Sequence, residues 1–183
     1  MDYSLRELTR ADLVQITKWR NNPELIQHLC SPFRFIDEEV DTLWFNKYLE
    51  SRARNIRLAI CKKNSGEIVG AVYLLDIDWL HKNAEFGILI GDESAQGKGA
   101  GEFATRGILQ HAFMDLNLHR VNLVALVSNE RALRLYRKIG FVDEGISREA
   151  LFKNGVYVDI VRMAILVGEY MSSDSKNRIV NCP

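Results

Sequence analysis

The stretch Gln96-Gly97-Lys98-Gly99-Ala100-Gly101 constrains this chain more than any other segment. It follows an apolar run, Ala84 to Ile90, that reads as a strand, and it opens an amphipathic run, Glu102 to Leu116, that reads as a helix. A glycine-rich turn between strand and helix aims several backbone N–H groups, and the positive end of the helix dipole, at one point where a phosphate group can sit. Glycine suits such a turn because a Cβ would collide with the ligand or forbid the backbone angles. Lys98 adds a mobile positive charge. Taken alone, the segment reads equally well as an ordinary glycine turn. Two familiar phosphate loops are excluded by spacing. There is no G-x-x-x-x-G-K-[ST], and the alternation of Gly97, Gly99 and Gly101 is not G-x-G-x-x-G.

A second segment, Asn129-Glu130-Arg131-Ala132-Leu133-Arg134-Leu135-Tyr136-Arg137-Lys138-Ile139-Gly140-Phe141, lies further downstream. Asn129 sits just past the apolar run Val121 to Val127 and is placed to cap the following helix. Ala132 and Tyr136 are spaced to share one helix face, Gly140 is placed to end the helix, and Phe141 begins the next strand. By itself this is a capped amphipathic helix with a buried tyrosine. The two segments together, as Q-x-x-G-x-G followed by N-x-x-A-x-x-x-Y-x-x-x-G-F, resemble the pyrophosphate loop and second motif of the GNAT N-acetyltransferases. Ala84-Glu85-Phe86, Leu116-Asn117-Leu118-His119-Arg120, Glu144-Gly145, Asn154-Gly155-Val156-Tyr157 and Arg162-Met163 are similar to one branch of that family. It contains the ribosomal-protein N-terminal and spermidine acetyltransferases. These further matches lie in the cofactor half and say little about the acceptor.

The chain reads as alternating elements without an internal repeat. Ser4–Glu7 reads as a strand, Asp12–Arg20 and Asn22–Leu29 as helical runs, and Asp37–Arg52 as a longer helix with Val40, Leu43, Trp44 and Tyr48 on one side. Ile56–Lys62 and Ile68–Leu75 read as strands joined by the turn Asn64-Ser65-Gly66, and Phe141–Phe152 and Val156–Leu166 as strands joined by Asn154-Gly155. The resemblance implies an α/β (α+β) GNAT fold. Its central sheet would be mixed, mostly antiparallel, of about seven strands flanked by helices, in the order β-α-α-β-β-β-α-β-α-β-β. Residues 1–170 are expected to form a single domain and residues 171–183 a flexible tail rich in Ser, Lys and Asn.

At 183 residues the chain suits one good core and is short for two domains. A formal net charge of zero gives the whole molecule no bias toward nucleic acid, membrane or polyanions. No apolar run approaches a membrane span, and the N-terminus lacks a signal-peptide pattern. Cys30, Cys61 and Cys182 are odd in number and widely separated, which suits reduced thiols in a cytoplasm. The four His and three Cys do not cluster, so no catalytic metal is expected.

The resemblance implies acetyl-CoA as cosubstrate and a primary amine as acceptor, either a small molecule or a peptide N-terminus. Direct attack needs positioning, removal of a proton from an ammonium of pKa about 10, and donors for the oxyanion and leaving thiolate. By the resemblance, Ile88, Leu89 and Ile90 hold the pantetheine arm, and Gln96, Gly97, Lys98, Gly99, Ala100 and Gly101 hold the pyrophosphate. Asn129 contacts the cofactor, and Tyr136 donates to the leaving sulfur. A phenol near 10 cannot fully protonate a thiolate near about 8.5 unless the site shifts one of them. Glu85, on the strand before the loop, is the candidate base through water, or else a solvated edge carboxylate. His81 is an alternative. Among Arg131, Arg134, Arg137 and Lys138, at most one is expected to meet the cofactor's phosphates.

Acceptor identity is expected in the N-terminal third. Trp19-Arg20-Asn21-Asn22-Pro23 resembles a W-R-N-x-P segment of some branch members, including ones that acetylate nucleotide-linked amino sugars. Arg20 and Asn21 are candidates to hold a polar or phosphorylated acceptor; equally, Trp19 reads as core and Arg20 as an ion-pair partner. Glu38, Glu39 and Asp41 would attract a polycation near a cleft, or simply suit a first helical turn. Polyamine, amino sugar and protein N-terminus all stay open. A homodimer is compatible with the resemblance, though no sequence feature specifies an interface. The competing class is a non-catalytic acyl-CoA-binding sensor or scaffold.

Overall fold

The computed structural model describes the backbone of residues 2–178 and the side chains of residues 2–172. Strands β1 (Tyr3–Glu7), β2 (Ile56–Lys62), β3 (Ile68–Asp78), β4 (Asn83–Ile90), β5 (Arg120–Leu126), β6 (Val142–Lys153) and β7 (Val156–Leu166) form one sheet. Its order is β1-β2-β3-β4-β5-β7-β6. Neighbours are antiparallel except β4 and β5, which run parallel. Helices α1 (Leu13–Arg20), α2 (Pro23–Ile26) and α3 (Glu38–Glu50) precede β2. Then α4 (Ala100–Gln110) and α5 (Glu130–Ile139) flank β5, and α6 (Val167–Arg178) follows β7. The order therefore has the three helices read along the chain before β2, one more than the order implied by the resemblance, and adds a closing helix. The tail expected to be flexible from Met171 begins inside α6, and residues 179–183, with Cys182, lie outside the described residues.

Side chains along a strand alternate between the two faces of its sheet, and β2 and β4 supply both layers in this way. Ile60, Ala84 and Phe86 join a core with Ala104, Ile108, Leu109, Leu133 and Ile139 of α4 and α5. Ala59, Cys61 and Leu89, on the other face, pack with Leu13, Ile16, Trp19, Phe45 and Tyr48 of α1 and α3. Trp19 is thus core. It presses so closely on Gly91 that a Cβ there would lie 2.0 Å from the indole.

Local signals set several boundaries. Asp37 caps α3 by accepting from Val40 N at 2.8 Å, a device worth about 1 kcal/mol. The β6–β7 turn places Asn154 at φ 49° and Gly155 at φ 84°, the left-handed pair that a two-residue hairpin requires. Three readings are corrected by packing. The Asn22–Leu29 run is helical only over Pro23–Ile26. Helix α4 ends at Gln110, and a π-turn over His111–Asp115 completes the amphipathic run. On α3 the inward face is Asp41, Phe45 and Tyr48, whereas Val40 and Leu43 are exposed, because α1 contacts the helix about one position round from the apolar guess.

Candidate active site

The parallel β4–β5 pairing covers only Asn83–Glu85 against Arg120–Asn122. Beyond that point β4 stays paired with β3 as far as Ile90, and β5 with β7 as far as Leu126. The two strands therefore part, leaving the facing backbone edges of Phe86–Ile90 and Leu123–Leu126 without a sheet neighbour. Unpaired strand edges present N–H and C=O groups to whatever enters the gap. Two cavities fill it, of about 690 Å³ and 650 Å³, and they share the wall formed by Ile88, Leu89, Asn129, Ala132 and Tyr136.

The first cavity runs along the glycine loop. A short 3₁₀ turn, Glu93–Ala95, leads into Gln96. Gly97 (φ +77°) and Gly99 (φ +87°) then hold left-handed angles that an L side chain rarely adopts, with Gly99 as the cap of α4. The first-turn N–H groups of α4 have no intrahelical acceptor and face the groove at its positive end. Gln96, Gly97, Gly99, Gly101, Ile88, Leu89 and Ile90 line this groove. Lys98 is exposed outside it, and Ala100 is buried beneath it. Of the basic flank on α5, Arg134 pairs with Glu130, Arg137 with Asp143 and Lys138 with Glu102. Arg131 has no such partner among the described residues, and its Nη2 lies 3.4 Å from where a Cβ on Gly97 would stand.

Tyr136 stands where the cavities meet. It is buried among Phe86 and Phe141, with ring centroids 5.8 Å away in each case. Such edge contacts contribute about 1 kcal/mol apiece and hold the ring's direction. Burial, and then the Cys30 thiol, push the Tyr136 phenol up to about 12. Among the described residues its hydroxyl has no hydrogen-bond partner. Asn129 Oδ1 accepts from Ala132 N at 3.2 Å, capping α5, while its Nδ2 donates to His28 O at 3.0 Å. The same amide thus ties the start of α5 to the loop after α2.

That loop roofs the second cavity. Lys153 Nζ donates to the carbonyls of Ile26 (3.0 Å), Leu29 (2.5 Å) and Ser31 (2.9 Å), pinning the roof to the β6–β7 hairpin. Glu85 lines the floor, at the last paired position before the strands part. Burial raises its carboxyl above the ordinary range, Asp76 raises it further, and Arg162 opposes both. Arg20 lines the wall, bonded to the fully buried Asp41, which also accepts from Thr17 Oγ1 at 2.5 Å. Asn21 does not line the cavity. Its amide clasps the backbone of Ile36, accepting from N at 3.0 Å and donating to O at 2.5 Å, so it shapes the roof instead. His81 lies elsewhere, against Asp78 at 2.9 Å.

Sequence reading missed Trp44, Arg57 and Tyr73, which complete the wall. Arg57 is a lone charge within the apolar strand Ile56–Cys61, a signal that was present. The register that sets it opposite Tyr73 is a tertiary fact. Among the described residues, no group of His, Cys, Asp or Glu could hold a metal ion, and no helix is long and apolar enough to cross a membrane.

Residues 3–142 match the family model described as an acetyltransferase (GNAT) domain. The spermidine N(1)-acetyltransferase of Vibrio cholerae is 35% identical over 92% of this chain and 95% of its own length. That of Escherichia coli K12 is 32% identical over 92% and 88%. The crystal structure of spermidine N-acetyltransferase from Vibrio cholerae in complex with CoA and spermine superposes with a TM-score of 0.87 at 32% identity, covering 93% of this chain and 98% of that one. The parted strands, the glycine loop and the matched domain agree, and the chain belongs to the GNAT family of acetyltransferases, enzymes that move an acetyl group from acetyl-CoA to an amine.

Proposed function

We propose that this chain acetylates a small primary amine by direct attack within a ternary complex, with Glu85 receiving the proton and Tyr136 serving the leaving sulfur. The observation that carries this reading is the meeting of two cavities at Tyr136 and the Ile88–Leu89 backbone. One cavity is a phosphate-holding groove, and the other has a single carboxylate on its floor. Acetyl-CoA supplies the activated acyl group. The groove fits it: the positive-φ glycines and the first turn of α4 suit a pyrophosphate, and Arg131 beside Gly97 is the one basic residue of its flank free to add charge.

The ammonium gives one proton to Glu85, through water. The freed amine lone pair forms the N–C bond to the acyl carbon, the C–S bond breaks, and its electron pair goes to sulfur. Tyr136 O–H donates to that sulfur, and the second amine proton leaves to solvent. Glu85 is suited to the task because its raised carboxyl affinity brings it nearer the amine. With its phenol near 12, Tyr136 acts as a hydrogen-bond donor more than as a full proton donor. The peptide free edge at Ile88 offers N–H groups for the developing oxyanion. Free thiols at Cys30 and Cys61 fit a reducing cytoplasm.

Initial rates of thiol release from acetyl-CoA, varied against a series of primary amines, test this. Intersecting double-reciprocal lines are the expected result. Parallel lines would show an acyl-enzyme and overturn direct attack. Tight CoA binding without thiol release on any amine would favour the sensor reading.

A further inference from the structure

Among the described residues, Arg57 Nε is the one buried side-chain nitrogen or oxygen that lacks a hydrogen-bond partner. Arg57 projects from the start of β2 into the acceptor cavity, directly across from Tyr73 of β3. Its guanidinium is stacked by aromatic rings, 4.6 Å from Trp44, 5.0 Å from Tyr73 and 5.6 Å from Tyr48. Rings on its faces hold the plane of the guanidinium in place, but they leave the N–H groups on its edge without oxygen acceptors. No carboxylate among the described residues lies within ion-pair distance of it. A half-buried cation left in this state is unfavourable, and a fixed fork of N–H groups matches the paired oxygens of a carboxylate or phosphoryl group.

The surroundings add to the same charge. Arg20 also lies over Trp44, 5.4 Å from the ring centroid, bonded to Asp41 through one nitrogen. Arg34, exposed on the roof loop, lines the same cavity with no carboxylate partner among the described residues. The cavity's own acid is Glu85, and acetyl transfer uses it as proton acceptor. With Asp41 neutralising Arg20, neither Arg57 nor Arg34 has a carboxylate at ion-pair distance among the described residues, and Asp76 acts on Arg57 only from further off. A polyamine would bring further ammonium groups to this wall, and like charges brought together repel.

We infer that the acceptor is an amine that also carries an oxyanion group, carboxylate or phosphoryl, held between Arg57 and Arg34 with Arg20 alongside. The inference rests on the acetyl-transfer reading for its amine and on the cavity wall for its anion. It assigns Arg57 the role of a specificity-determining residue.

Matched pairs of amines isolate the anion: glucosamine phosphate against glucosamine, and γ-aminobutyrate against putrescine. Calorimetric binding to the CoA-loaded full chain, and thiol release from acetyl-CoA, are measured for each. The anionic member of at least one pair is expected to bind about tenfold more tightly and to show a lower KM. Which pair responds tells phosphoryl from carboxylate. In Arg57→Gln the preference should fall toward unity, with Arg57→Lys retaining part of it. Arg34→Ala, at an exposed position that does not threaten the fold, should lose a few-fold by the same measure. Unchanged CoA affinity reports an intact fold in each variant. Equal or better binding of glucosamine, putrescine or spermidine overturns the inference while leaving acetyl transfer standing. No binding by either anionic amine overturns it as well. Anion-selective binding without thiol release on any amine would instead support the inference and overturn the catalytic reading.

Discussion

The groove proposed for the cofactor and the cavity proposed for the acceptor share one wall yet are built by different means. The groove is made mostly of two chain segments, a strand end with its two left-handed glycines and the first turn of α4, and the cap and first turns of α5, with Leu25, His28 and Leu29 at its side. Its recognition elements are backbone groups. The cavity gathers side chains from α1, the roof loop, α3, β2, β3 and β4, segments far apart in the chain. Backbone recognition of this kind tolerates sequence change as long as the conformation is kept, whereas a wall of side chains is rewritten by single substitutions. One half can therefore stay constant among relatives while the other selects different amines.

Variants at the junction should disturb the comparison most. Replacing Tyr136 with Phe removes the proposed donor to sulfur and little else, so kcat should drop about a hundredfold. CoA affinity should hold within about twofold if the ring packing survives. Turnover equal to wild type would remove Tyr136 from the chemistry.

Next comes Glu85→Gln, expected to lower kcat/KM by roughly tenfold to thirtyfold. Here the pH profile is the sharper test. A base must be deprotonated, so activity is lost as pH falls through its folded pKa. Because burial raises that pKa, the acid limb should lie above the ordinary carboxylate range. The Gln variant should lack this limb. Tyr136, pushed up to about 12, should impose no alkaline limb at neutral or mildly alkaline pH. An acid limb that persists unchanged in Glu85→Gln would assign it to another group.

Smaller effects separate the halves. Gly99→Ala forces a Cβ into a left-handed angle at about 1 kcal/mol, which should weaken CoA roughly fivefold by calorimetry. The ranking of amines should not change. Lys153→Met should do the reverse. Without its three carbonyl contacts the roof loop loosens, acceptor KM should rise about threefold, and CoA affinity should stay put. Faster amide exchange confined to residues 26–36 would locate the cause. A shift in CoA affinity there would show that the halves are coupled through Asn129 and His28.

Much of the molecule was legible because its signals are local. The glycine angles of the Gln96–Gly101 loop, the Asn129 cap, the Gly140 stop at φ 120° and the Asn154-Gly155 turn are each decided within a few residues. The ends of β2 and of β7 fall where their apolar runs end. What lay beyond reach depends on register and packing. No periodicity shows that β4 and β5 pair for three residues and then part, yet that parting makes the site. Asn21 and Arg20, adjacent in the chain, were read together, but one braces Ile36 and the other meets Asp41. Arg57 acquires its meaning only when β2 sets it against Tyr73 and α3 brings Trp44 over it. The sequence by itself determined the backbone devices of the cofactor half, since those are fixed by steric limits within each turn. Only the tertiary structure decided the charge and shape of the acceptor half, because these come from side chains that meet through long-range pairing.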